Sequence, residues 1–422
     1  MRAHGLRPAE GVPPGKAGGR IRPPSPDDAR EEEFRADAKP RLLFLQWDHS
    51  PNAGSSPFLV LHMQHHVKCL AETFDVTVVA HDCDFTEVVD RYRPDLVVVE
   101  AGYRTHGSRR IEVTNRRSHP EVPKIGLHNG DPWCDRRAGF LADMDAWGID
   151  TFFSIATRTA DYTPTIAENL FVWPNFIDPD LFHDYRLQKV VPVILTGQAS
   201  NLYPWRQAVY PILSGLYPCL VSPPFRYEAV ASQRLLQGRN YAMALNASHV
   251  APSCGTMGNE LVRKHLEIPA AGCLLLTERT PILESAGLED GVNCVFADEK
   301  SVAGRVAELF GDLEMMAEIT AAGHRLVHER HTLKQRRQVF EWYSLSLRRR
   351  PGERIVQEDP FGPLALAPDG CAAGSGLTPG PARDRLELRR AEQAVAKREF
   401  ALARQHYEAC LSYVGYLPAA RL

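Results

Sequence analysis

Ser248-His249-Val250-Ala251, then Ser253-Cys254-Gly255-Thr256-Met257-Gly258-Asn259, then Lys264-His265-Leu266-Glu267-Ile268-Pro269-Ala270-Ala271-Gly272, then Leu274-Leu275-Leu276-Thr277 is the stretch that decides the fold. It reads as a strand, a glycine-bearing loop, a helix over Asn259–Ala271 and a second strand over Cys273–Leu276. Short apolar runs bounded by turn residues are strands buried on both faces. A helix between two such strands lies on the sheet as a crossover, so the strands run parallel.

The alternation continues outward. Upstream stand a strand at Val190–Leu195, a helix at Trp205–Leu213, a strand at Pro218–Val221 and helical text over Tyr227–Leu236. Downstream come a strand at Val292–Phe296 and helices at Val302–Phe310, Leu313–His328 and Leu333–Leu347, stopped by Arg348-Arg349-Arg350-Pro351. An earlier series begins with strand Leu42–Leu45, helix Phe58–Glu72, strand Val76–Ala80, helix Phe85–Arg91 and strand Leu96–Val99. It continues with a helix around Arg109–Arg116, strand Lys124–Leu127, helix Gly139–Trp147 and strand Thr151–Ile155. Two series predict an α/β chain of two Rossmann-like, doubly wound domains, 40–180 and 181–350, facing across a cleft. Ligands of such sheets bind beyond the carboxyl ends of the strands. Residues 1–39, rich in Pro, Gly, Arg and Glu, read as disordered, and 351–380 as a Pro/Gly-rich linker. In the tail, 381–422, Ala391, Ala394, Phe400, Ala403, Tyr407 and Cys410 recur at helical spacing. That pattern predicts one tetratricopeptide-type helical hairpin, which must dock on its own protein or on a partner protein.

The length of 422 residues exceeds one ordinary core. Apolar and charged shares of 44% and 24% are those of a water-soluble globular protein. A net charge of −3 gives no global field for nucleic acid or an anionic membrane. No apolar run approaches the roughly 18 residues of a membrane helix, and the first twenty residues lack the apolar core of a secretory signal. The nine cysteines form no CxxC pair, and Cys219, Cys273 and Cys294 lie in apolar runs as reduced core residues do. A cytoplasmic protein is expected. The first loop, Gln46 to Ser56, lacks GxGxxG, which argues against a dinucleotide dehydrogenase. His62, His65 and His66 recur at helical spacing without a carboxylate or an HExxH, and read as surface histidines rather than metal ligands. Arg109-Arg110 and Arg116-Arg117 read as solvated helix positions that could meet an anionic acceptor.

Val172-Trp173-Pro174-Asn175-Phe176-Ile177-Asp178-Pro179-Asp180-Leu181-Phe182 resembles the hinge turn of group 1 glycosyltransferases, with Phe176 where that family usually has Gly. Lys264 to Gly272 resembles the family's Glu-bearing helix beside the donor. Gly291-Val292-Asn293, Ala322-Gly323 and His331-Thr332-Leu333 follow its C-terminal cadence, most like the spore-maturation branch. The resemblance is good over 170–345 and architectural over 41–170. It implies the GT-B fold and a nucleotide diphosphate sugar held mainly by the C-terminal domain. The sugar nucleotide is then a substrate, and no cofactor is expected. The acceptor would be a glycan, lipid, protein or small molecule.

The resemblance also implies roles. Glu267, a carboxylate in an apolar helix, would accept the donor's ribose hydroxyls. The loop with Gly255, Thr256, Gly258 and Asn259 would approach the diphosphate through backbone N–H groups. Retaining relatives carry a Glu eight positions before the ribose Glu; here Asn259 stands there and Glu260 follows, which leaves retention or inversion open. Gly197, ending a strand, and the cations Arg206, Arg263 and Lys264 would face the departing diphosphate, an electrostatic device that needs no metal. His128 and Asp131, after a first-domain strand, would face the cleft as acceptor-side catalytic groups. Glycosyl transfer is the leading function. A sugar-nucleotide epimerase of the same fold and a catalytically degenerate nucleotide-sugar-binding protein are the alternatives.

Overall fold

The computed structural model describes residues 38–101, 108–133, 137–224, 235–370, 380–415 and 417–421. The readings of 1–39 as disordered and of Tyr227–Leu236 as helical fall almost wholly outside these residues. From Pro40 onward the chain forms one contact unit.

The first sheet has six parallel strands: β1 (Arg41–Leu45), β2 (Asp75–Val79), β3 (Leu96–Ala101), β4 (Lys124–His128), β5 (Phe152–Ser154) and β6 (Leu170–Val172). Their spatial order is β2-β1-β3-β4-β5-β6. Successive side chains point to opposite faces, so each strand feeds two cores. Leu42 and Phe44 join the layer containing α1 (Pro57–Ala71), while Leu43 and Leu45 join α2 (Phe85–Tyr92) and α3 (Arg137–Trp147). Helix α1 starts where Ser56 accepts the N–H of Leu59 and Pro57 supplies a first residue that needs no donor.

The second sheet has five parallel strands: β7 (Val191–Leu195), β8 (Cys219–Val221), β9 (Ser248–Ser253), β10 (Leu274–Thr277) and β11 (Val295–Phe296), in the order β8-β7-β9-β10-β11. On one face lie α4 (Pro204–Leu216), α7 (Val302–Gly311) and the first half of α8 (Leu313–Arg330). On the other lie α5 (Gly238–Asn246) and α6 (Lys264–Ala270), among others. The α/β expectation of two doubly wound sheets is met.

The chain then returns to the first lobe. Arg336, buried, donates to the carbonyls of Pro174 and Asn175 at 3.2–3.3 Å. Helix α9 (Gln338–Ser346) packs Val339 and Phe340 against the first sheet's core. Within the stretch read as a linker, β12 (Glu353–Gln357) and β13 (Leu364–Pro368) form an antiparallel hairpin that joins the same core through Ile355 and Leu364. The tail forms two paired helices, α10 (Arg383–Ala396) and α11 (Phe400–Tyr413). They dock on the protein itself: Ala382, Leu388 and Cys410 cluster with Trp133, Tyr162 and Met257. Tyr162 donates to Asp384 at 2.7 Å, and Arg383 pairs with Glu278 at 2.7 Å.

Two local readings change. Residues around Arg109–Arg116 are extended rather than helical, because Arg109 bridges the backbone of Asp48 and Val113–Thr114 pairs with Cys83–Asp84. The helix read from Asn259 begins only at Lys264. Thr256 and Asn259 adopt positive φ (65° and 55°), which no right-handed helix accommodates. No helix among the described residues is long and apolar enough to cross a membrane.

Candidate functional site

The carboxyl ends of β1, β3 and β4 and those of β7 and β9 converge on a cleft with a cavity of about 380 Å³. From the second lobe it is lined by Gly197, Tyr203, Arg206, Arg263, Lys264 and Glu267, and from the first by His49, His62, Glu100, Asn129 and Asp131.

Gly197 follows β7 at φ 84°, and a Cβ there would come within 2.9 Å of Arg206 and 3.1 Å of Lys264. Glycine permits both the turn and the closeness of the two cations without strain. Arg206 is 2% exposed and lies over the Tyr203 ring, 4.5 Å from its centre. Its Nη2 donates to Ser253 Oγ at 3.2 Å, and among the described residues its buried Nε finds no acceptor. Lys264 opens α6 and donates to Thr196 Oγ1 and Tyr241 OH, both at 3.0 Å. Burial, aided by the charges of Arg206 and Arg263, lowers Lys264 to about 7 against the pull of Glu267. Glu267, one turn on, is 5% exposed and accepts from Arg263 Nε at 3.2 Å.

Arg263 reaches across the cleft. It donates to Nδ1 of His62 and, at 2.7 Å, to Nδ1 of His65, both on α1. Accepting from a guanidinium requires neutral rings, and burial lowers His62 well below its usual value and His65 to about 2. His65 and His66 are therefore not surface residues: they are 3% and 2% exposed, with His66 packed on Trp173 and Phe176. The inward face of α1 holds them.

The first lobe adds a chain of polar contacts that sequence spacing gave no reason to group. His49 Nε2 lies 2.8 and 3.0 Å from the two oxygens of Glu100, and its Nδ1 lies 2.8 Å from Ser108 Oγ. Glu100 also accepts the Trp47 N–H at 3.1 Å. The one available signal was a carboxylate ending the apolar run of β3.

Of the sequence-derived site residues, Asp131, Gly197, Arg206, Lys264 and Glu267 meet at this cleft. Burial and the nearby Glu260 charge raise Asp131 to about 6. Six residues lie elsewhere. His128 turns into the layer beneath β4, edge-on to Phe140 at 5.0 Å, and burial lowers it to about 4. Glu260 accepts from Thr157 N, Thr157 Oγ1 and Arg158 N at 3.1, 2.7 and 2.8 Å, spending its carboxylate on a joint between lobes. Asn259 donates to the Pro381 carbonyl. Gly255 is small because the Glu260 backbone passes it: a Cβ would sit 2.3 Å from that carbonyl. At Gly258 a Cβ would sit 2.7 Å from the Trp133 ring. Thr256 is buried, its hydroxyl accepting from Gly258 N. This loop is packed against protein.

Residues 191–341 match the family model described as glycosyl transferase-like. No curated protein matches the chain. Sucrose-phosphate synthase from Thermosynechococcus elongatus is similar in structure, with a TM-score of 0.50 and 11% identity over 74% of this chain and 97% of that one. HepE from Anabaena, solved with UDP and glucose, gives a TM-score of 0.47 and 13% identity over 73% of this chain and 100% of that one. A glycosyltransferase from Rickettsia africae gives 0.47 and 11%, over 74% of this chain and 100% of that one. Identities this low speak to fold alone, the GT-B architecture; the family match is confined to residues of the second lobe.

Proposed function

We propose that the protein transfers a sugar from a nucleoside diphosphate sugar to a hydroxyl acceptor. The observation that carries this reading is the convergence of Gly197, Arg206, Lys264 and Glu267 on one cleft of a glycosyl transferase-like domain. Glu267 accepts the ribose hydroxyls, while Arg206 and Lys264 hold the diphosphate and stabilise its charge as it leaves. These fixed cations do that work with no metal in the scheme. The acceptor enters from the first-lobe side, past Asp131 and His49. The motif cadence over 170–345 supports a place beside the spore-maturation branch, and the reduced cysteines support a cytoplasmic setting.

Lys264 makes the reading testable by pH. With its ammonium titrating at about 7, a bound diphosphate favours the charged form and raises that value. Binding then takes up a proton above pH 7 and none well below it. The donor's Kd is expected to rise by up to about tenfold per pH unit above 7, and to stay flat in Lys264→Arg, whose guanidinium keeps its charge. Calorimetry with a panel of UDP-, GDP-, ADP- and TDP-sugars between pH 6 and 9 measures it. Identical pH profiles for wild type and Lys264→Arg would remove Lys264 from the diphosphate site.

A further inference from the structure

We infer that His49 is the general base that takes the acceptor's proton, with Glu100 as its positioning partner, and that transfer therefore inverts the anomeric carbon. This rests on the glycosyl-transfer reading above.

Nε2 of His49 faces both oxygens of the Glu100 carboxylate, so it carries the hydrogen. Glu100 is itself fixed by the Trp47 N–H. The lone pair therefore lies on Nδ1, where it accepts the Ser108 hydroxyl at 2.8 Å. An acceptor hydroxyl takes the place of the Ser108 hydroxyl at this nitrogen. His49 and Glu100 line the same cleft as Lys264 and Glu267, on its opposite wall. A base held in one tautomer by a carboxylate is the arrangement that activates hydroxyl nucleophiles.

The step balances without another reactant. The acceptor's O–H bond breaks and its proton passes to Nδ1, while its oxygen bonds to the anomeric carbon. The bond from that carbon to the diphosphate oxygen breaks, and the electron pair leaves with the nucleoside diphosphate against Arg206 and Lys264. Glu100 stabilises the imidazolium. A single displacement with the base opposite the leaving group inverts configuration. Among the described residues, the charged and titratable groups around His49 are Glu100 on β3, Asp48 in its own loop with Arg109 beside it, and His66 on α1. Burial opposes protonation of His49, but the charge and hydrogen bond of Glu100, helped by Asp48, outweigh it and leave His49 raised.

The test uses the full chain and the UDP-, GDP-, ADP- or TDP-sugar that calorimetry shows to bind. Release of nucleoside diphosphate to water and to a panel of glycosides is followed against pH. In His49→Asn, kcat is expected to fall about 10²–10⁴-fold and the acidic limb of the profile to vanish. Donor Kd should stay within about threefold of wild type, since the loss is confined to the transition state. Glu100→Gln moves the limb to lower pH, because the carboxylate that holds it up is gone. Azide, which needs no deprotonation, restores turnover in His49→Ala, a rescue that a misfolded variant cannot give. Proton NMR of the fresh product shows the opposite anomer. A His49→Asn kcat within about fivefold of wild type, loss of the limb in Asp131→Asn instead, or a retained anomer would each overturn the assignment. Wild-type protein that binds no member of the panel, or binds one and releases no diphosphate, would sink the glycosyl-transfer reading itself, and this proposal with it.

Discussion

Glu260→Ala is expected to lower the unfolding free energy by about 3–5 kcal/mol, the usual cost of removing one partner from a buried charged network. The carboxylate is 5% exposed and satisfies two backbone N–H groups and one hydroxyl at the start of the short helix Thr159–Tyr162. Alanine leaves all three donors buried without an acceptor, at about 1–3 kcal/mol each before relaxation. The donors belong to the first lobe and Glu260 to the loop that precedes α6, so the substitution also loosens the joint between lobes. Nearby, Arg158 donates to the Gly258 carbonyl across the same joint. Urea unfolding at 25 °C measures the change. A loss below about 1 kcal/mol, the worth of one ordinary neutral hydrogen bond, would mean that water replaces the carboxylate and the joint is not built as described.

The second large effect falls on turnover. Arg206→Ala is expected to lower kcat for diphosphate release about 10²–10³-fold, the scale of removing one preorganised electrostatic group. Arg206 is held by Ser253 and the Tyr203 ring before any ligand arrives, so its charge costs little reorganisation. Arg206→Lys should recover only part of the loss, because an ammonium cannot both fill the fork that meets Ser253 and stack on Tyr203. Steady-state kinetics with the binding donor checks both variants. Wild-type kcat in Arg206→Ala would show that the leaving group is stabilised elsewhere.

The alternation of apolar runs made both sheets legible, because strands buried on two faces must be apolar throughout and helices between them must be amphipathic. Glu267 stood out for a related reason, a carboxylate in an otherwise apolar helix needing a partner, and Lys264 through the family resemblance; both line the cleft. Spacing did not reveal which groups come close to individual residues of the loops and strand ends. Gly255 and Gly258 read as ligand-approach glycines, yet the close neighbours are the Glu260 backbone and the Trp133 ring. A glycine announces that something comes near without saying what. His128 followed the same logic at the end of β4, but the alternation of the strand sends its side chain to Phe140. His49, Glu100 and Ser108 come from three separate chain segments, so no spacing connects them. The hairpin over Glu353–Pro368 was hidden by flanking Pro and Gly, which mark its turns rather than a linker.

Glycosyl transfer at this cleft requires a helix carboxylate to meet a sugar nucleotide in the groove between the sheets. Calorimetric titration of Glu267→Ala against wild type, with the tightest-binding nucleoside diphosphate sugar at pH 6.5, tests that point most directly. Donor binding is expected to weaken by about 1.5–3 kcal/mol, the worth of hydrogen bonds to a charged acceptor, with the far-UV spectrum unchanged. Equal affinity in the two proteins would contradict it.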